Sequence, residues 1–170
     1  SMGTDLLGRG LFDVGISLAY LEDMQLRAAV VYDPVHVELF HAIYGMGAYV
    51  NGKRIEPSKT SGIEEAVVSL DHAALRSKEV TALVEAAGQI RVTPVAALEL
   101  CYVACGRVDA ALRHGAAFFD CAAGMLVAME AGAMVTDGRG GAVSFNEYGQ
   151  RCNVAAIAPG LAEDFARYYR

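Results

Sequence analysis

Val14, Ile16, Leu18 and Tyr20 alternate with Asp13, Gly15, Ser17 and Ala19, and this rhythm constrains the chain more than any other feature. A period of two puts successive side chains on opposite faces, so residues 13–20 form a half-buried strand. Arg27–Tyr32 is short and β-branched, Asp33-Pro34 makes a turn, and Val35–Ile43 alternates again before Gly45 and Gly47 break the run. Asn51-Gly52, between Ala48–Val50 and Lys53–Ile55, is a hairpin signal, because both residues tolerate the positive φ of a two-residue turn. The first third is therefore an antiparallel meander, closed by the polar segment Pro57–Glu65.

From Ala66 strands and helices alternate. Ala66–Leu70 is a strand and Lys78–Ala87 a helix; Gln89–Val92 is a strand, Val95–Cys105 a helix and Val108–Arg113 a strand. Asp120–Gly132 is a helix with Asp120 as its N-cap, followed by strands at Met134–Thr136 and Val154–Ala158 and a helix at Leu161–Tyr169. The helices from Val95 and from Asp120 are apolar nearly all round, which places each between two layers. The fold class is α/β, a layered α+β arrangement in one domain over residues 1–170, with the meander in 1–65 and an α/β half in 66–170.

Composition bounds what such a domain does. Of its 170 residues 54% are hydrophobic and 20% charged, enough for a core without disulfides and with apolar surface left over for a partner. A net charge of −6 without a basic cluster argues against nucleic acid. Charged residues interrupt every apolar run before membrane-spanning length, and the N-terminus has no basic region followed by an apolar stretch. Cys101, Cys105, Cys121 and Cys152 form no Cys-x-x-Cys pair and have no histidine at zinc-ligand spacing. They are expected to be buried thiols in a reducing compartment, so the expected location is cytoplasmic.

Three stretches, in order and in register, carry a resemblance. The first is Val30-Val31-Tyr32-Asp33-Pro34, then Glu38-Leu39-Phe40, Gly45-Met46-Gly47-Ala48 and Asn51-Gly52; the second is Ala96–Ala110. The third is Phe119-Asp120-Cys121-Ala122-Ala123-Gly124 with Glu130-Ala131-Gly132. Together they resemble the inositol monophosphatase family. The resemblance implies an inositol monophosphatase or sugar phosphatase-like fold, and a magnesium-dependent phosphomonoester hydrolase acting on a small inositol or sugar phosphate. It implies Asp120 as a metal ligand, with Asp5 as a possible substitute, and Gly3 and Thr4 as the phosphate-binding remnant of the family's "DP(I/L)DGT" motif.

The departures shape the expectation equally. Met2 falls where that motif's second aspartate belongs, so about the first third of a family member, with most of its Mg2+ ligands, is expected to be absent and the N-terminal sheet half to lack its covering helices. The substrate-pocket loop reads Pro94-Val95-Ala96 instead of small residues, and proline there removes an N–H donor. The glutamate that contacts substrate hydroxyls in the family is replaced by Arg113, a potential anion binder. His114 beside it is read as a surface residue, and Glu130 as a packing or capping residue of its helix. Activity is therefore expected to be impaired in this chain alone; the alternative is a non-catalytic relative acting as a subunit or regulatory binding partner. The expected partners are a small phosphorylated polyol or sugar and a second copy or partner chain covering the sheet face of Val14, Ile16 and Leu18.

Overall fold

Tight reversals build the first sheet. In the computed structural model, which describes residue 8 and residues 13–144 and 150–169, β1 (Ile16–Glu22), β2 (Gln25–Asp33), β3 (Glu38–Ile43), β4 (Ala48–Val50) and β5 (Lys53–Arg54) pair in sequence order, each antiparallel to the next. Asn51 and Gly52 take φ of 47° and 76°, as a two-residue hairpin turn requires. Asp23 and Met24 take φ of 51° and 59° and form the same kind of turn without a glycine. They make β1 and β2 one long hairpin where the alternation indicated two separated strands.

Residues 35–37 were expected to be strand and are turn. Asp33 Oδ1 accepts hydrogen bonds from the Val35 and His36 amides at 2.9 and 3.1 Å, which curls the chain before β3 begins at Glu38. One face of the sheet buries Leu26, Ala29, Val31, Phe40 and Ala42 in the core. The other face carries Ile16, Leu18 and Tyr20, which are 64%, 72% and 58% exposed, beside exposed Val30, Leu39 and Ile43.

The second sheet holds β6 (Val67–Leu70), β7 (Gln89–Val92), β8 (Ala110–Ala117), β9 (Met134–Thr136) and β10 (Arg151–Ile157) in the order β7-β6-β8-β10-β9. β6 runs parallel to β7 and β8, and β10 antiparallel to β8 and β9. Among the described residues five α-helices accompany it: α1 (His72–Leu75), α2 (Thr81–Ala86), α3 (Ala96–Ala104), α4 (Phe118–Ala131) and α5 (Ala162–Tyr168). A 3-10 turn at Lys78–Val80 leads into α2, so the helix expected from Lys78 is split.

The layering is α/β, as the sequence indicates. α3 and α4 pack on each other between the two sheets, and all nine residues of α3 are buried. Gly124 of α4 permits the close crossing, because a Cβ there would stand 2.6 Å from the Ala97 carbonyl oxygen. On the far face of the second sheet, α2 and α5 bury Leu83 and Phe165 against Leu70, Leu112 and Ile157. The layers are thus sheet, helix pair, sheet, helices, with the outer face of the first sheet open to solvent.

Candidate functional site

The C-terminal end of β6 and the β8–α4 junction meet at a cavity of about 670 Å3. Ligand sites in such sheets form where strand ends and helix starts converge. Asp71, His72 and Arg76 contribute from the β6–α1 side, Pro94 and Ala96 from the start of α3, and Arg113, His114 and Asp120 from β8 and α4; Arg151 adds a further cation. The lining holds three arginines, two histidines and two aspartates, a set suited to an anionic, hydroxyl-bearing ligand.

Asp120 is not the N-cap of its helix. α4 starts at Phe118, whose ring is 1% exposed, and Ala117 stands at the cap with no side-chain bond. Burying Phe118 in the core sets the boundary two residues earlier than the aspartate does. Asp120 is therefore in the first turn, where free backbone N–H groups favour a carboxylate. Among the described residues its side chain has no hydrogen-bond or ion-pair partner. Arg76 likewise has none.

Asp71 is structurally occupied. Its Oδ1 accepts from the Ala74 amide at 2.6 Å, capping α1, and its Oδ2 accepts from the His114 amide at 3.0 Å. It ties β6 to β8 across the cavity floor.

Arg113 lines the cavity but turns its charge inward, being 1% exposed. Its guanidinium donates to Ser69 Oγ at 2.9 Å and to the Leu112 carbonyl at 3.1 Å, and lies 4.0 Å from the buried Glu99 carboxylate. Glu99 also takes two bonds from Arg91 Nε, at 3.1 and 3.2 Å. Burial pushes the Arg113 pKa down, which the Glu99 charge partly offsets. Pro94 and Ala96 line the cavity with Arg113, whereas Val95 faces a smaller one beside Asp33, Glu99 and Tyr102. Gly3, Thr4 and Asp5 lie outside the described residues.

Sequence reasoning missed His114 as a cavity residue. Its Nε2 is 2.8 Å from the Tyr169 hydroxyl of the C-terminal segment, 55 residues away, so nothing local signals the pairing. Glu130 caps a different feature from its own helix: its carboxylate accepts from the Gly45 and Gly47 amides at 2.8 Å each, fastening the β3–β4 turn. All four cysteines are free, and burial pushes Cys121 up to about 12 and Cys101 well above the ordinary thiol value, so neither is a ready nucleophile.

Magnesium needs several oxygen ligands in near-octahedral geometry. Among the described residues no group of three or more His, Cys, Asp or Glu side chains is placed to hold a metal ion. With Asp71 engaged and Asp120 standing alone, the described residues do not by themselves fit a magnesium ion. No described helix is long and apolar enough to cross a membrane.

Comparison with known proteins adds an independent line. The family model described as "Inositol monophosphatase family" matches residues 9–169. The chain is 35% identical over 164 residues to "Nus factor SuhB" of Vibrio cholerae, covering 92% of this chain and 60% of that protein. It is 37% identical over 136 residues to "Fructose-1,6-bisphosphatase/inositol-1-monophosphatase" of Thermotoga maritima, covering 79% of this chain and 53% of the relative. The solved structure of the extragenic suppressor protein suhB from Bartonella henselae superposes with a TM-score of 0.88 at 30% identity, over 99% of this chain and 66% of that one. The chain thus spans little more than half the length of these curated relatives.

Proposed function

Because the chain belongs to the inositol monophosphatase family, we propose that its cavity is the substrate wall of a phosphomonoester hydrolase acting on a small inositol or sugar phosphate. The observation that carries this reading is the unpartnered Asp120 carboxylate at the start of α4, in a cavity whose other charged groups are mainly cationic. Arginine recognises phosphate oxygens through parallel N–H bonds, and Arg76 and Arg151 supply such groups at the cavity's exposed side. A carboxylate at a helix start is suited to hold a cation or orient a water beside the bound ester. Asp5, Gly3 and Thr4 remain part of the proposal as the ligand and phosphate contacts that the resemblance implies.

Asp120 alone does not make a magnesium site, so turnover by this chain alone is expected to be impaired, and further carboxylates would have to complete the site. The test is phosphate release from inositol 1-phosphate and fructose 1,6-bisphosphate, with and without magnesium, alongside equilibrium binding of inositol 1-phosphate. Binding by the folded chain, with any turnover abolished in Asp120→Asn, is the expected result. Turnover that is unchanged in Asp120→Asn defeats the assignment of that residue. The name "Nus factor SuhB" of the Vibrio cholerae relative leaves one second reading open, a non-catalytic family member acting as a subunit or regulator. A folded chain that neither binds nor hydrolyses a phosphomonoester would leave only that reading.

The partner surface is part of the same proposal. Ile16, Leu18, Tyr20, Val30, Leu39 and Ile43 are 37–72% exposed on one sheet face. At roughly 180 Å2 per large side chain they leave on the order of 600 Å2 of apolar surface. That approaches the ~800 Å2 per partner of a standard interface. We take the occupant to be a second copy, because a sheet face can pair with itself about a two-fold axis. Sedimentation showing only monomer at high concentration would overturn this. The free thiols support a reducing, cytoplasmic setting.

A further inference from the structure

Tyr169 is 6% exposed, and its hydroxyl stands between two groups, 2.8 Å from His114 Nε2 and 3.2 Å from Glu79 Oε2. Glu79 is in turn ion-paired with Arg139, which holds its carboxyl below the usual range and so ionised. An ionised carboxylate only accepts, so at the Glu79 contact the phenol must donate its single proton. The phenol keeps that proton at neutral pH, because burial and the Glu79 charge push it up to about 12. With its proton committed, the Tyr169 oxygen can only accept from His114, and His114 Nε2 must carry a hydrogen. The chain Arg139–Glu79–Tyr169–His114 therefore has one direction and one consistent set of protons.

The consequence falls at the cavity. His114 belongs to its wall, and its Nδ1 is the only ring nitrogen not engaged by Tyr169. Among the described residues Nδ1 has no hydrogen-bond partner. The neighbouring Arg113 turns its guanidinium into the core, so it leaves no polar head group for a ligand's hydroxyls. We propose that His114 Nδ1 is a specificity contact for a hydroxyl of the bound polyol phosphate, and that Tyr169 is a positioning residue that fixes the ring's orientation and tautomer. A neutral imidazole with Nε2–H offers Nδ1 as an acceptor to a ligand O–H. The edge-to-face packing of the two rings, with centroids 6.0 Å apart at 78°, holds the orientation. The proposal rests on the phosphomonoester reading for its ligand class, and it needs binding but not turnover.

The experiment uses the full chain, inositol 1-phosphate as ligand, and 15N-edited NMR of the histidine rings at roughly pH 8.5, where imidazole is neutral. Expected is a single Nε2–H tautomer for His114 whose Nδ1 resonance moves saturably on titration with inositol 1-phosphate. Two substitutions separate a ligand contact from a merely structural bond to Tyr169. Asparagine places its amide where Nδ1 lies, and glutamine places its amide where Nε2 lies. His114→Asn should keep the dissociation constant within about threefold, while His114→Gln and His114→Ala should weaken binding on the order of tenfold, the equivalent of one hydrogen bond. Tyr169→Phe should mix the tautomers and weaken binding by several-fold while the chain stays folded by circular dichroism. Binding that leaves the Nδ1 resonance unmoved, or that survives in His114→Gln and fails in His114→Asn, overturns the proposal without touching the phosphomonoester reading. Binding with the expected Nδ1 shift supports it whether or not the chain turns the ester over, and an absence of any binding removes both.

Discussion

Tyr102 donates its hydroxyl to Asp33 Oδ2 at 2.6 Å and so fastens α3 to β2 across 69 residues of sequence. Asp33 also accepts from the His36 amide and lies 2.7 Å from the His36 ring nitrogen. Burial by itself raises this carboxyl, but the bonds from Tyr102, His36 and the Val35 amide outweigh it and leave the pKa below the ordinary value. A carboxyl depressed in the folded state contributes stability above its unfolded pKa, about 3.9, and loses it as pH falls through the lower folded value. Tyr102→Phe removes a donor to a buried charge and should cost about 1–3 kcal/mol at pH 7. The gap between wild type and variant should narrow below about pH 4, as Asp33 becomes protonated. Urea titrations at neutral and acid pH measure both, and equal midpoints at pH 7 would show the bond to be idle.

Glu130 and the Gly45–Gly47 turn make a second long-range tie, reaching from the end of α4 to the loop after β3. The two amides meet one carboxylate, so Glu130→Gln, which keeps the shape and exchanges one acceptor for a donor, should cost about 1–2 kcal/mol. Glu130→Ala should cost at least as much and should raise amide hydrogen exchange at Gly45 and Gly47 selectively. Unchanged exchange at those two amides would contradict the tie.

Arg113→Glu, which places the residue that the family resemblance implies at this position, should destabilise this chain. Arg113 and Glu99 are 1% and 2% exposed and 4.0 Å apart. Arg113→Glu would set two buried carboxylates side by side with Arg91 as their shared counter-charge. Breaking a buried pair in this way costs about 3–5 kcal/mol. Adding Glu99→Gln should recover part of the loss, and thermal melts of the single and double variants read the coupling. A single variant as stable as wild type would mean that the Arg113–Glu99 contact is not what holds the arginine inside.

The sequence shows the fold's rhythm because periodicity is local: the Asn51-Gly52 turn and the fully buried α3 follow from residues within a few positions of each other. The Asp23-Met24 turn was not legible, since no glycine or asparagine marks its positive φ and the pairing of β1 with β2 imposes it. Resemblance marks Asp120 as a candidate, yet its place in the helix was not legible, because burial of Phe118 decides where α4 starts. Pro94 and Ala96 share the cavity while Val95, between them, faces elsewhere, a divergence that a motif string does not encode. His114 became visible only with Tyr169 beside it.

The open sheet face gives a last prediction. Leu18 is 72% exposed and pairs in register with Val30, near the middle of the apolar patch. A lysine there keeps its aliphatic stem on the sheet but places a charge where a second copy would pack. Because the residue is already in solvent in the single chain, Leu18→Lys should change the stability of an isolated chain by no more than about 0.5 kcal/mol. In an interface the same change desolvates an unpaired charge and should weaken self-association by at least about tenfold. Analytical ultracentrifugation of both proteins over a range of concentrations separates the two effects. Lower solubility with no change in association would mean that the face is merely exposed. Weaker association at unchanged melting temperature would place the contact at β1 and leave the cavity around Asp120, formed from the second sheet and α4, open in the assembled protein.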